Sequence, residues 1–168
     1  MLVCRKVTMT ICKVLVVCAL SASIAYCEDQ PSFIVRGLGG KTVVLTEADL
    51  ARLPQHSVTT TDHGVAATFQ GVLLTDVLAL VDLPVGDKFH STAASYYVLA
   101  QGKDGYRVVF AWAELDATFM DKPIYVAARR DNKPLPENAR PFQLVVPGEK
   151  RGGRWLRQLA TVTVKQAN

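Results

Sequence analysis

The chain has 168 residues, 49% hydrophobic and 20% charged, with 19 Lys and Arg against 15 Asp and Glu. That length suffices for one domain with its own core, and the charge is too balanced for a nucleic-acid surface, which calls for a strongly basic domain. All four cysteines lie at or before Cys27, which excludes a Cys-ligated zinc or iron–sulfur site in the body of the chain.

Arg5, Lys6 and Lys13 precede an apolar run over 14–25 that ends in Ser23-Ile24-Ala25. A basic start, a short apolar stretch and small residues before a cut are the three parts of a secretory signal. The run is shorter than the ~20 residues a membrane-spanning helix needs. The expectation is therefore a signal peptide over 1–25, a single domain over 26–168, and a periplasmic location. Cys27 offers a lipoprotein alternative, because lipidation uses a cysteine just after such a run. Removal of the signal leaves 16 basic and 15 acidic residues, but unevenly placed. Residues 26–128 hold 7 basic and 12 acidic side chains, and residues 129–168 hold 9 and 3. Either one positive surface awaits an anion or acidic partner, or the two parts complement each other inside one fold.

In chain order, 33–37 and 42–45 read as strands around the hairpin glycines Gly37-Leu38-Gly39-Gly40. Thr46 is a helix cap ahead of Glu47-Ala48-Asp49-Leu50, and Pro54 ends that helix. Residues 57–61 are β-branched and strand-like. Phe69-Gln70-Gly71-Val72 leads into a helix in which Leu74, Val77, Leu78 and Val81 share one face, closed by Pro84. Strands are expected at 95–100 and 106–110 around the turn Gly102-Lys103-Asp104-Gly105, then a short helix at 112–115. Further strands fall at 123–128, 143–147 and 159–164, with a turn at Asp131-Asn132-Lys133-Pro134.

His56, His63 and His90 are the only histidines, and no pair has metal-ligand spacing. Asp62-His63-Gly64 ends a strand in a loop, where functional residues concentrate, although a histidine there is equally an ordinary turn residue. There is no Gly-x-Ser-x-Gly elbow and no Walker or dinucleotide fingerprint. The most informative stretch is Pro147-Gly148-Glu149-Lys150-Arg151-Gly152-Gly153-Arg154-Trp155-Leu156-Arg157. Its glycines let backbone amides converge, Arg151 and Arg154 offer forked donors, and Trp155 offers a flat apolar face. Such a set suits a flat, polar ligand; a solvated turn is the alternative.

Together with Phe69-Gln70-Gly71-Val72-Leu73-Leu74-Thr75-Asp76-Val77-Leu78, Asp104-Gly105-Tyr106, the turn before Pro134-Leu135-Pro136, and Arg140-Pro141-Phe142-Gln143-Leu144-Val145-Val146-Pro147-Gly148, this stretch resembles the molybdopterin-binding domain of the sulfite oxidase family. The resemblance covers nearly the whole chain after the signal. It implies an α+β, mainly β, single-domain fold with a pterin in a surface pocket. Enzymes of that family hold molybdenum through a cysteine at the end of the strand before the Gly71 segment, and here that position falls at Asp62 or His63. A soft thiolate is not replaced by Thr or a carboxylate without changing the metal chemistry.

The resemblance therefore implies a cofactor of the reduced-pterin or molybdopterin-like kind, with molybdenum, a metal ligand and a catalytic residue not expected. Small exported members lacking the cysteine resemble pterin-binding sensors, some of which dock on the periplasmic domain of a membrane-bound cyclic-di-GMP enzyme. The ligand-binding candidates so implied are Asp62, His63, Asp104, Tyr106, Arg151, Arg154 and Trp155. The alternatives are a molybdopterin-dependent oxidoreductase with an atypical metal ligand or a partner subunit, and an adaptor domain with an empty pocket.

Overall fold

The structure is a computed structural model that describes residues 30–62, 64–83 and 91–167. The stretch over 1–25 expected to be a signal, Cys27, His63, Pro84 and His90 lie outside the described residues.

β1 (Ser32–Arg36) and β2 (Thr42–Thr46) form the expected hairpin, with Gly37 N–H donating to the Lys41 carbonyl at 2.8 Å and Gly40 at φ +81°. Thr46 then caps α1 (Glu47–Leu50): its hydroxyl accepts from the Asp49 amide, and its own amide donates to the Asp49 carboxylate at 3.0 Å. Hydrogen bonds from the Thr46 side chain, then its backbone, hold the Asp49 carboxyl below its ordinary value. β3 (His56–Asp62) pairs along its full length with Val65–Gly71 of β4 (Val65–Leu73).

β4 is longer than its sequence suggests, because Val65–Leu73 carries neither a clean alternation nor a single apolar run. Tertiary pairing decides it: β4 hydrogen-bonds to β3 on one side and to β7 (Tyr125–Arg130) on the other. At the irregularity between Gln70 and Gly71, a Cβ on Gly71 would sit 2.0 Å from the Val126 carbonyl oxygen, so only glycine lets β7 approach there.

α2 (Leu74–Ala79) follows directly, and Leu74, Val77 and Leu78 are fully buried, as their helical spacing predicts. A short 3-10 helix (Ser91–Ser95) leads into β5 (Tyr96–Gly102) and β6 (Arg107–Ala111), then α3 (Trp112–Leu115). After β7 come β8 (Lys133–Pro134), β9 (Gln143–Val145) and β10 (Leu159–Gln166). Asp131 and Asn132 make the β7–β8 turn with φ 51° and 61°, the left-handed region that Asp and Asn tolerate best after glycine.

Two sheets result. One runs β2-β1-β10-β5-β6; the other runs β3-β4-β7-β8, with β9 continuing along β7. β10 lies parallel to β1, although nearly the whole described chain separates them. A single apolar cluster fills the space between, and the Phe33 and Phe142 rings meet edge-on in it at 5.0 Å. Backbone bonds from Leu144 to Leu156 and from Leu159 to Phe142, both 2.8 Å, tie the segment around β9 to the entry of β10. The loop between β9 and β10 is thus clamped at both ends. No helix among the described residues is long and apolar enough to cross a membrane.

Candidate functional site

The β9–β10 loop folds back on itself through Trp155. Its indole N–H donates to the Val146 carbonyl at 2.8 Å, its amide to the Gly152 carbonyl at 3.0 Å, and its ring packs edge-on against Phe69 of β4 at 5.5 Å. Trp155 is 9% exposed, so it serves more as the keystone of the loop than as a free platform. Gly152 and Gly153 form the 3-10 turn that lets the chain reverse, and a Cβ at Gly153 would meet nothing within 4 Å.

Across from this loop lies the end of β3. Asp62 accepts a hydrogen bond from Arg130 of β7 at 2.8 Å, with the two side chains 13% and 23% exposed. The same guanidinium stands 3.6 Å from Asp131 and 5.4 Å above the Phe69 ring. A chain of contacts thus runs from Asp62 through Arg130 and Phe69 to Trp155. Thr61, Asp62 and Gly64 on one side, with Glu149, Lys150, Arg151, Gly152 and Trp155 on the other, enclose a cavity of about 390 Å³. That volume lies within the usual range of small-molecule sites.

Of the residues the sequence singled out, the structure brings Asp62, Arg151 and Trp155 together on this cavity. Arg154 points elsewhere. It donates to Glu149 at 2.7 Å and to Glu114 of α3 at 3.0 Å, and lies 5.0 Å above the Phe110 ring. Glu114 is itself anchored by the Ala111 amide at 2.8 Å. Burial opposes the charge on Arg154, but the hydrogen bonds to the two carboxylates outweigh it, and its pKa moves further up. Its donors are committed to holding α3 against the loop, beside a small space of about 80 Å³.

Asp104 and Tyr106 stand on the β5–β6 turn, outside the lining of the larger cavity. The Asp104 carboxylate accepts from the Tyr106 amide at 2.9 Å, and the Tyr106 hydroxyl donates to the Gly153 carbonyl at 2.7 Å. They brace the loop from behind. His63 falls outside the described residues.

Sequence reasoning missed Lys150 as a lining residue, although it sits inside the stretch already singled out. It also missed Arg130 and Phe69, whose roles come from cross-strand placement and leave no local signal. Among the described residues no group of three or more His, Cys, Asp or Glu side chains is placed to hold a metal ion.

This mainly β domain, with a polar cavity under a glycine–arginine loop, has the architecture of the sulfite oxidase-type molybdopterin-binding domains. The chain matches the profile of the oxidoreductase molybdopterin binding domain over residues 23–168, and it belongs to that family. In structure it is similar to the sulfane dehydrogenase SoxCD from Paracoccus pantotrophus, with a TM-score of 0.60 at 20% sequence identity. The overlap covers 81% of this chain but only 38% of that one, and at this identity it speaks for the fold alone. No curated protein matches the chain significantly in sequence.

The family implies a pterin-type cofactor, and the cavity's chemistry fits one. Glycines at 64 and 152 keep the backbone bare, Lys150 and Arg151 supply cationic donors, and Trp155 supplies an apolar wall. The thiolate half of the family's metal site has no counterpart, since every cysteine lies at or before Cys27.

Proposed function

We propose that this chain is an exported, non-catalytic pterin-binding protein that passes ligand status to a membrane-bound partner, such as a cyclic-di-GMP enzyme, in the periplasm. One observation carries the non-catalytic part: at the strand end where the family's enzymes place a cysteine, Asp62 stands ion-paired to Arg130 at 2.8 Å. A carboxylate whose charge is matched by a guanidinium is a hydrogen-bond acceptor for a ligand edge and a poor substitute for a soft thiolate. When bound, a reduced pterin supplies a flat heterocycle with a donor–acceptor edge. Asp62 faces that edge, Lys150 and Arg151 take any anionic substituent, and Trp155 excludes water from one side.

Export rests on the basic, then apolar, then small-residue pattern over 1–25. The signalling role rests on the resemblance to small exported members lacking the cysteine, and SoxCD's sulfane dehydrogenase activity is not carried over.

A second reading, a molybdopterin-dependent oxidoreductase with a partner subunit, is favoured by one feature. Lys150 and Arg151 both line the cavity, and molybdopterin carries a phosphate that free pterins often do not. Metal analysis and pterin fluorescence on protein purified from its native host separate the two. A fluorescent pterin released on denaturation without metal supports the sensor; stoichiometric molybdenum overturns it.

A further inference from the structure

The two sheets turn different surfaces outward. On β3 and β4 the side away from the core is polar: Ser57 pairs with Gln70 and Thr59 with Thr68, whose hydroxyls are 2.9 Å apart. The outer face of the five-stranded sheet is more apolar. Val44 of β2 pairs there with Ile34 of β1, and Leu99 of β5 pairs with Val109 of β6. Val44 and Val109 are 56% and 51% exposed, whereas the alternate residues Leu45, Val108 and Phe110 are buried. Apolar side chains on the solvent side of an antiparallel sheet depart from the usual alternation and mark a contact surface. Between the two pairs, β10 presents Thr161 and Thr163.

The charge of this face has one sign. Its five strands contain no Asp or Glu, and their only charged residues are Arg36, Arg107 and Lys165, all exposed. Each follows the outward alternation of its strand, and Lys165 stands opposite Tyr97. Four of these strands come from the part of the chain before Arg129, where acidic residues outnumber basic ones. The acids stand elsewhere: Asp76, Asp116 and Asp121 line a second cavity, of about 270 Å³, between α2 and the chain that connects α3 to β7. Among the described residues, Lys41, Arg52, Arg130 and Arg154 each pair with a carboxylate, whereas Arg36, Arg107 and Lys165 do not.

We propose that this outer face is where the chain docks on its partner protein, and that the partner's contact surface is an apolar strip bordered by carboxylates. The carboxylates answer the three cations, and the Ile34–Val44 and Leu99–Val109 pairs bury against the strip. A second copy of the chain fits poorly, because two such faces bring like charges together. A lipid surface also fits poorly, since the Thr161 and Thr163 hydroxyls at the centre would lose water without gaining a hydrogen-bond partner. The proposal rests on the reading that the chain works through a partner, and it holds whether that partner is a signalling protein or a redox subunit.

The test places the photo-crosslinker p-benzoylphenylalanine at Val44, at Val109 or at Thr59 of the full chain, produced in its native host. Irradiation of the cells should link Val44 and Val109, but not Thr59, to one and the same membrane-bound protein. The linked peptide should carry Asp or Glu beside apolar residues. Arg36→Glu with Lys165→Glu should cut the Val44 adduct about tenfold or more, and Arg107→Glu the Val109 adduct, with circular dichroism unchanged. The docking face is overturned by adducts to lipid or to a second copy, by an acid-free linked peptide, by undiminished yields after charge reversal, or by adducts from no position. Adducts as strong from Thr59 overturn it too, while leaving the existence of a partner intact. A chain that keeps both adducts but carries no pterin would sink the pterin reading and leave this face standing.

Discussion

The two cavities of this domain differ in which part of the chain walls them. The larger is walled on one side by residues 149–155, from the basic C-terminal part, with Lys150 and Arg151 in its lining. The smaller is walled by Asp76, Asp116 and Asp121, all from the acidic part before Arg129. The uneven charge of the sequence is thus divided in the fold. Some of it is neutralised between the parts, as in Arg130–Asp62 and Arg154–Glu114. The remainder leaves the smaller cavity with an excess of acidic side chains and the larger one with both signs. Cations that look alike in sequence therefore have different duties, and substitutions can separate them.

The largest effect is expected at Trp155, where the cavity wall and the core coincide. Trp155→Ala empties a site packed on Phe69 and should destabilise the fold by about 3–5 kcal/mol, read by chemical denaturation. A small change with lost pterin binding would instead make Trp155 a ligand contact rather than a keystone.

Arg154 and Arg151 sharpen the same contrast. Arg154→Met leaves Glu114 and Glu149 without their cation; because Arg154 is 37% exposed and screened by solvent, the loss should be about 1–2 kcal/mol. Arg151→Met should stay within about 0.5 kcal/mol in stability yet weaken pterin affinity roughly tenfold, measured by fluorescence titration. The reverse pattern would exchange their roles.

Tyr106→Phe removes only the bond to the Gly153 carbonyl and should destabilise by about 1 kcal/mol or less, with the loop amides around Gly153 exchanging faster.

The smallest effect concerns the acidic cavity's neighbour. Burial, then the charge on Asp121, pushes the Tyr125 phenol above its ordinary 10.0. A raised folded-state value means that the contribution of Tyr125 is complete below the unfolded pKa and is lost as pH rises through the folded one. Stability should therefore fall above pH 10 in the parent, and less so in Tyr125→Phe and Asp121→Asn, as followed by thermal melts across alkaline pH.

Much of the fold was legible where the signal is short-range. The Gly37–Gly40 hairpin, the Thr46 cap, the Leu74–Val77–Leu78 face and the Asp131-Asn132 turn each follow from residues within one or two turns of chain. The candidate site was partly legible for the same reason: glycines, arginines and a tryptophan within eleven consecutive residues announce a loop built for contact.

What those residues do was decided elsewhere. Trp155 is buried because Phe69, from β4, stands beside it, and Arg154 is committed because Glu114, from α3, reaches it at 3.0 Å. The strand Val65–Leu73 exists because it has neighbours on both sides, and β10 joins β1 in parallel across the length of the domain. Local pattern fixes backbone propensity, since that depends on steric and hydrogen-bonding choices a few residues apart. The partner of a buried ring or charge is fixed by which distant segments packing brings within a few ångströms. For this protein the sequence determined the short-range hairpins, caps and helix faces, the charge division and the absence of a body cysteine. Only the tertiary structure determined which cation lines the larger cavity and which one holds the loop.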